Sequence, residues 1–293
     1  MNTINLFTFK PHKKTMGGNC WNFGEYLSRK ILQKMGYHVN HFHNGNYPKN
    51  DINDLVVGIG GILHYKALKR AMIDRVKHIH IWGTGFGSER NMYRWLIRGE
   101  DINKFSFNMV RGVLTRDCYK LPKDVLLGDH GFLTSLLYPN ASKQGNNKIV
   151  YVKHLLDYRD DETILKKYDD IDEIIETNMP EPDFDKHFFD ILNKISSAKL
   201  VITNSMHGAI VAHSYGVPWC ISPRHKRRST VEQDISKEAK WFDSFSSCGL
   251  DAADLKICHN SKDGLRWWDK ISKKIRPIDK EYRERILDSF PKI

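Results

Sequence analysis

Small polar residues and a histidine follow a short apolar run in the last third of the chain. Residues 199–203 are apolar and β-branched, as in a buried strand, and a helical pattern begins directly afterwards and ends near Gly216. In an open α/β sheet, ligands bind at the edge where the strands end, and a helix N-terminus offers free N–H groups to an anion. The sequence therefore predicts an anion-binding site that contains an imidazole. Its residues are Asn204, Ser205, His207 and Gly208.

His207 is the candidate general acid of this site. Histidine is the side chain that most readily donates a proton near neutral pH. The alternative is a histidine packed at a helix start and bonded to a nearby carbonyl group, but the position at a strand-to-helix junction favours the catalytic interpretation. His213 lies on another part of the same helix and is interpreted as structural. If His207 is not the acid, His130 and His225 are the next candidates.

Three arginines near predicted strand ends could bind the acidic groups of a substrate. Arg111 and Arg116 flank a short turn after one strand, and Arg224 follows another strand directly. A guanidinium group pairs well with carboxylate or phosphate. A surface salt bridge and a solvated basic loop are the ordinary alternatives. We expect the first two arginines to contact a substrate or shape its site, and Arg224 to bind an anion.

Two acidic residues could accept or hold a proton. Glu25 lies beside Asn22 in the first turn of a predicted helix, where it could take a proton from a hydroxyl group or simply complement the helix dipole. Asp129 could be a base or a turn residue, and the sequence leaves both open. Gly60 and Gly85 follow strands, where backbone can approach a ligand closely, although glycine there more often serves a turn.

Six short motifs occur along the chain in a characteristic order. They are NFGEYL at 22–27, GIGGIL at 58–63, IWGTGF at 81–86, RGVLTR at 111–116, GD at 128–129 and SMHGAIVAHSYGVP at 205–218. Together they resemble the motifs of the polysaccharide pyruvyl transferases and cover most of the chain. Two positions depart from the family pattern: Glu25 stands where aspartate is usual, and His130 where proline is usual.

This resemblance implies a GT-B-like α/β fold, in which two Rossmann-like domains have a cleft between them. It also implies an enzyme that uses phosphoenolpyruvate as a co-substrate, forms a pyruvate ketal on a sugar of a polysaccharide or glycan intermediate, and releases phosphate, with no cofactor or metal. Such a reaction needs an acid for the methylene carbon and cations for carboxylate and phosphate. We expect catalysis by His207, Glu25 and Asp129, and substrate binding by Asn22, Gly60, Gly85, Arg111, Arg116, Asn204, Ser205, Gly208 and Arg224.

Strand-like and helical runs alternate along the 293 residues, which predicts parallel sheets in two α/β domains. Residues 138–147 are polar and rich in turn formers, and we interpret them as the linker. The predicted domains are residues 1–140, on the acceptor side, and residues 141–293, on the phosphoenolpyruvate side. We expect the last two helices to pack across or beside the second domain.

Composition limits the classes of protein to consider. The formal net charge is +11, and the five cysteines have no zinc-finger or disulfide spacing, which fits a reducing cytoplasm. The histidine pairs at 41/43 and 78/80 are interpreted as strand residues rather than metal ligands. No apolar run is long enough for a membrane span. We expect a cytoplasmic protein, with peripheral contact at the anionic inner face of the membrane left open.

Two other functions compete with pyruvyl transfer. A GT-B glycosyltransferase that uses a nucleotide sugar would share the fold and the need to bind phosphate, but it would release a nucleotide. A non-enzymatic binder of nucleic acid or anionic membrane would account for the positive charge and would show steep salt dependence. Nucleic acid is not expected as a partner, because aromatic and basic residues do not interleave in an RNA-binding pattern.

Overall fold

A computed structural model describes residues 2–10, 20–64, 67–86, 97, 99–142, 147–225 and 232–293. The first half of the chain forms a six-stranded parallel sheet with the strand order β3-β1-β4-β5-β6-β7. Its strands alternate with helical or turn segments, which is the pattern that parallel pairing requires. They are β1 Thr3–Thr8, β3 His38–His43, β4 Ile52–Val57, β5 Val76–Trp82, β6 Phe105–Val110 and β7 Leu126–Leu127.

The second half forms a four-stranded parallel sheet with the order β12-β11-β8-β9. The central strand β11 is buried at every residue, as expected for an apolar run covered on both faces. The strands are β8 Ile149–Lys153, β9 Glu173–Glu176, β11 Leu200–Thr203 and β12 Trp219–Ile221.

Helices cover both sheets. The longer ones begin at polar or acidic caps, such as Asp160 and Asp279, whose side chains accept bonds from first-turn N–H groups. The helices are α1 Phe23–Lys34, α2 Arg70–Ile73, α3 Val113–Cys118, α4 Thr134–Leu137, α5 Asp161–Lys167, α6 Phe184–Ser196, α7 Met206–Ser214, α8 Ala239–Ser246, α9 Ser261–Ile271 and α10 Lys280–Asp288.

Two antiparallel ribbons were not predicted. In one, β2 (Cys20–Asn22) pairs with β10 (Asn178–Pro180), which ties the start of α1 to the second half of the chain. In the other, β13 (Arg224–His225) pairs with β14 (Glu232–Gln233). The first ribbon sets the position of α1, because the Phe23 N–H bonds to the Thr177 carbonyl oxygen at 2.8 Å immediately before the helix.

One hydrophobic core runs through both halves. The rings of Phe23 in α1 and Phe188 in α6 stack with their centroids 5.4 Å apart, so the helices of the two sheets share buried apolar surface. The last helix also returns to the first half. Tyr282 Oη donates to the Leu127 carbonyl oxygen (2.7 Å), and Trp82 Nε1 donates to Ser289 Oγ (3.0 Å).

The structure confirms the predicted α/β class with two parallel sheets. The expected position of the last two helices holds for α9, whose Trp267 packs on Trp219 of the second sheet. Helix α10 contacts both halves, because Arg283 Nη2 donates to the Ser214 carbonyl oxygen (3.3 Å) while Tyr282 bonds to Leu127 in the first half. The division at residues 140/141 stays a prediction, and part of the proposed linker (143–146) and most of a helix expected at 88–97 lie outside the described residues.

The packing of α10 predicts that this helix contributes to the free energy of unfolding of the protein. Ile286 is fully buried, whereas Ile293 remains 37% exposed. Ile286→Ala should lower the free energy of unfolding by about 2–5 kcal/mol, because it removes buried methyl groups and leaves a cavity. Ile293→Ala is the matched control and should have little effect. Urea denaturation measures both; equal, small effects would contradict the assignment of α10 to the core.

Candidate functional site

His207 lies in the first turn of α7 and packs directly on Gly24 in the first turn of α1. A Cβ atom at Gly24 would lie 1.9 Å from His207 Nδ1, so no residue larger than glycine fits there while the ring keeps its position. The side chain is 7% exposed, and its Nε2 has no hydrogen-bond partner among the described residues. Burial lowers the pKa of His207 to about 3, helped by the nearby cations Arg111 and Lys240.

Asp129 faces His207 from the turn after β7. The carboxyl group is fully buried; its Oδ1 accepts the Gly131 N–H at 2.7 Å, while Oδ2 lies 3.9 Å from His207 Nε2 and has no partner within the described residues. Burial raises the pKa of Asp129 to about 7. Both shifts favour uncharged groups. Below about pH 7, therefore, the pair is not an ion pair: His207 is neutral and the proton of the pair is on Asp129.

The first turn of α7 has no side-chain cap among the described residues. Ser205 occupies the N-cap position, but its side chain makes no capping bond. In the part of the chain that the structure describes, the N–H groups of Met206, His207 and Gly208 have no acceptor, as expected for an uncapped first turn. Three N–H groups and the positive end of the helix dipole thus lie beside the His207–Asp129 pair, an arrangement that favours an anion.

Glu25 brings a second titratable carboxyl group to the site. Asn22 Nδ2 donates a hydrogen bond to Glu25 Oε2, while Asn22 Oδ1 is buried without a described partner. Burial raises the pKa of Glu25 to about 7, and the Lys240 ammonium opposes this shift. Glu25 can therefore exchange a proton near neutral pH. The candidate role for Glu25 fits this environment and stays a prediction.

Lys240 is a residue of this site that the sequence did not reveal. It lies in the first turn of α8, with its side chain 23% exposed, and its Nζ is 3.2 Å from Glu238 Oε2. Burial lowers its pKa. The charge of Lys240 in turn lowers the pKa values of Glu25, His154 and His207. Lys240 lies one turn before Ser244, whose Oγ is 2.9 Å from Met206 Sδ at the start of α7. Neither a motif nor a strand end marks this lysine in the sequence.

Arg224 lies beside this lysine, at the carboxyl end of the second sheet. Its Nη2 donates to Glu238 Oε1 at 2.8 Å, and the side chain is mostly buried. The one carboxylate of Glu238 thus pairs with two cations. Binding of an anion by Arg224 stays a prediction, and the surplus positive charge of this trio is consistent with it.

The Asn204 side chain is engaged by the protein. Its Oδ1 accepts the His154 N–H (2.7 Å), and its Nδ2 donates to Tyr151 Oη and the Pro223 carbonyl oxygen (2.9 and 3.2 Å) and to Asp157 Oδ2. Arg159 pairs with the same Asp157 carboxylate. Asn204 therefore holds together the loops after β8 and β12. The expectation that its side chain binds substrate is wrong, because every polar atom of the amide is already used.

Packing or backbone conformation accounts for the three candidate glycines. A Cβ atom at Gly208 would lie 2.8 Å from Thr203 Oγ1 and 2.9 Å from Val152 Cγ1, so the glycine lets α7 pack on its own sheet. At Gly85 it would lie 2.8 Å from Arg111 Cζ. Gly60 has φ +118° and receives the Gly85 N–H and the Thr84 hydroxyl at its carbonyl oxygen. The substrate contacts proposed for them are thus replaced by structural roles.

Arg111 is buried beneath the site rather than exposed to it. Its Nε donates to Asp243 Oδ2 (2.9 Å) and its Nη2 to the Phe86 carbonyl oxygen (2.8 Å), with no exposed surface on either charged side chain. These bonds support the alternative that Arg111 shapes the site, while its Nη1 is buried without a partner among the described residues, so that substrate binding by Arg111 stays a prediction. Arg116 pairs with its neighbour Asp117 at 2.8 Å. No described contact joins Arg116 to His207 or Asp129.

The other histidines are placed by their hydrogen bonds. His130 Nδ1 donates to the Trp82 carbonyl oxygen (2.9 Å), and its Nε2 accepts from Ser28 Oγ (2.9 Å), so both nitrogens are used in the core. His130 is therefore not a reserve acid. His213 Nε2 donates to the Arg276 carbonyl oxygen (3.0 Å), which agrees with its structural interpretation. His225 lies in β13.

Metal sites and membrane-spanning helices are two further features to consider. Among the residues that the structure describes, no group of three or more histidine, cysteine, aspartate or glutamate side chains is placed to hold a metal ion. Within the same residues, no helix combines the length and the apolar character that a membrane crossing requires.

The family model for polysaccharide pyruvyl transferases matches residues 22–224, more than half of the chain. The chain belongs to the polysaccharide pyruvyl transferase family. Its match therefore covers α1, the Asp129 turn, the start of α7 and Arg224, whereas Lys240 and Asp243 lie beyond it. Membership associates the chain with pyruvyl transfer in polysaccharide biosynthesis.

Individual proteins are also similar to this chain. The succinoglycan biosynthesis protein ExoV of Rhizobium meliloti (strain 1021) is 25% identical over 241 residues, which are 78% of this chain and 67% of that protein. A UDP-GlcNAc 2-epimerase of Methanocaldococcus jannaschii, solved with UDP-GlcNAc and UDP, is 13% identical over 98% of each chain, with a TM-score of 0.49. The functionally uncharacterized protein KP1_0663 of Klebsiella pneumoniae is 16% identical over 75% of this chain and 84% of its own, with a TM-score of 0.44.

The raised pKa of Asp129 predicts a pH-dependent effect of its removal. Because the folded state holds this proton up to about pH 7 while the unfolded carboxyl ionises near pH 4, Asp129 costs stability as pH rises through that interval. Asp129→Asn keeps the acceptor for the Gly131 N–H and should stabilise the protein at pH 8 by on the order of 1–4 kcal/mol. The gain should shrink towards pH 4. Thermal unfolding measures it, with the exposed Asp124→Asn as control; a gain independent of pH would contradict the shift.

Proposed function

We propose that the protein transfers the pyruvyl group of phosphoenolpyruvate to two hydroxyl groups of one sugar in a polysaccharide or glycan intermediate, forming a ketal. The observation that carries the proposal is the buried His207–Asp129 pair at the N-terminus of α7, which has no side-chain cap within the described residues. It combines a proton source with an anion site, and phosphoenolpyruvate needs both. Family membership independently supports the transfer of a pyruvyl group.

The proposed reaction requires no cofactor, because every bond and proton is supplied by phosphoenolpyruvate, the sugar and the protein. The methylene carbon of phosphoenolpyruvate gains a proton, and the adjacent carbon, which then has oxocarbenium character, is attacked by the first sugar hydroxyl. That hydroxyl loses its proton as the new C–O bond forms. The C–O bond to phosphate then breaks, and the second hydroxyl attacks the same carbon and releases its proton. The products are one ketal and one phosphate.

Donor binding changes the proton affinity of the acidic pair. In the free protein, burial keeps His207 neutral and the proton on Asp129. A phosphate and a carboxylate bound at the start of α7 lie nearer to His207 than to Asp129 in this proposal, so they stabilise the imidazolium form and favour transfer of the proton from Asp129 to His207. His207 then delivers that proton to the methylene carbon. Asp129 holds and returns that proton.

The acceptor lies on the α1 side of the site in this proposal. Glu25, whose pKa is raised to about 7, accepts the proton of the attacking hydroxyl, and the bond from Asn22 orients its carboxyl group. A lipid-linked acceptor would bring the protein to the inner face of the membrane. The formal net charge of +11 supports such contact with anionic lipid.

The proposal predicts a specific product and a specific loss. Incubation of the protein with phosphoenolpyruvate and candidate glycans should release phosphate and add the mass of one pyruvyl ketal to the glycan, as seen by mass spectrometry. His207→Ala should fold and bind phosphoenolpyruvate, yet lose about 10²–10⁴-fold in turnover because the proton donor is gone. His207→Gln should not restore the rate, since an amide supplies no proton.

Two controls separate this function from its competitors. His213→Gln alters a histidine at the other end of the same helix and should leave turnover within a few fold. Release of a nucleotide from a nucleotide sugar, with no consumption of phosphoenolpyruvate, would instead identify a glycosyltransferase. Near-wild-type turnover of both His207 variants would remove this residue from catalysis.

A further inference from the structure

Helix α8 carries two charged residues, Lys240 and Asp243, about one turn apart. Lys240 lies one turn before Ser244, on the same side of the helix, and its charge lowers the pKa values of His207 and Glu25. Asp243 is fully buried against the first half of the chain. The helix also contacts the start of α7, because Ser244 Oγ lies 2.9 Å from Met206 Sδ. A shift of α8 would therefore move Lys240 relative to the open end of α7.

Asp243 is held by the turn that begins α3, through both of its carboxylate oxygens. Oδ2 accepts from Arg111 Nε (2.9 Å) and Thr115 Oγ1 (2.6 Å), and Oδ1 accepts from the Thr115 N–H (3.1 Å). Close to this group, Ser246 Oγ accepts the Val113 N–H at 3.1 Å. We call these contacts the Asp243 clasp.

The backbone of the clasp leaves no room for side chains. A Cβ atom at Gly112 would lie 1.7 Å from the Asp243 carbonyl oxygen, so α8 rests directly on the backbone of the RGVLTR segment. At Gly85 a Cβ atom would lie 2.6 Å from Thr115 Oγ1, on the other side of the clasp. This close packing fixes the position of α8 relative to the first half of the chain.

Within the described residues, Lys240, Arg224 and Glu238 together carry one more positive than negative charge. Glu238 Oε1 lies 2.8 Å from Arg224 Nη2, and Glu238 Oε2 lies 3.2 Å from Lys240 Nζ. Two cations thus share one carboxylate, on the helix that contacts Met206 at the start of α7. The Lys240 side chain is long, compact at its charged end and only 23% exposed, which suits an ammonium group that pairs with a bound anion.

We infer that Lys240 binds the acidic groups of the donor, and that the Asp243 clasp is the positioning device that holds Lys240 at the start of α7. This inference rests on the proposed function for the identity of the donor. It gives the RGVLTR segment an indirect role. Arg111 and Thr115 hold Asp243 by hydrogen bonds, and Asp243 fixes the helix α8 that carries Lys240. Lys240 contacts the donor, whereas the clasp residues contact only protein.

Isothermal titration of the protein with phosphoenolpyruvate alone tests the first part. Lys240→Met keeps most of the length and apolar volume of the side chain without its charge, and should weaken binding by about 10–100-fold, as expected for one charge-assisted contact. Lys240→Arg should bind within a few fold of the wild type. Lys166→Met, at an exposed lysine on α5, is the matched control and should bind like the wild type.

A double-mutant cycle tests the positioning role. Asp243→Asn should weaken phosphoenolpyruvate binding by about 3–30-fold in the wild-type background, and add little to the effect of Lys240→Met, because the clasp acts through that lysine. If Asp243→Asn does not fold, Thr115→Val removes a single hydroxyl donor and should give a smaller change of the same kind. Circular dichroism and thermal unfolding confirm that each variant is folded.

The outcomes distinguish the inference from the function on which it rests. No binding of phosphoenolpyruvate to the wild type would overturn both. Tight binding by the wild type and by Lys240→Met alike would overturn the role of Lys240 and leave the proposed function standing. Fully additive effects of Asp243→Asn and Lys240→Met would overturn the positioning role of the clasp.

Discussion

The contact between Gly24 and His207 is the constraint on which the site depends. The two first turns approach so closely that a single methyl group at Gly24 would overlap the imidazole ring. Because of this approach, α1 and α7, which cover different sheets, meet at their N-termini. Glu25 is thereby carried to the His207 side, and the glycine of the NFGEYL segment is explained by packing against the candidate acid rather than by a turn.

Burial then determines the chemistry of the groups that this contact brings together. Asp129, Glu25 and His207 are each shifted towards their uncharged forms, because removal from water penalises a charge more than the nearby hydrogen bonds repay it. These three groups therefore hold protons rather than charges, beside the charged Lys240, Arg224 and Glu238. In the proposed function, the negative charges of phosphoenolpyruvate allow His207 to take up a proton only when the donor is in place.

Several motif residues form buried contacts within the protein. Arg111, Gly112 and Thr115 surround Asp243, which lies more than a hundred residues later, and Gly85 leaves space for the same arginine. Asn204, next to the candidate acid, ties together the loops after β8 and β12. These contacts are buried, so they fix the geometry of the first turns of α7 and α8. Among the described groups of the site, His207 Nε2 and Asp129 Oδ2 are buried without a hydrogen-bond partner, as are Asn22 Oδ1 and Arg111 Nη1.

The sequence by itself determined the alternation of strands and helices and the strand-to-helix junction at residues 203–206, because these depend on local periodicity. Short motifs made His207 a candidate acid and left Asp129 open between a base and a turn residue. Only the tertiary structure decided which polar residues face the site. It placed Lys240 there, used up the polar atoms of Asn204, and buried Arg111 against Asp243. Such pairings join residues far apart in the chain, and no local pattern encodes a contact that forms only when two sheets pack together.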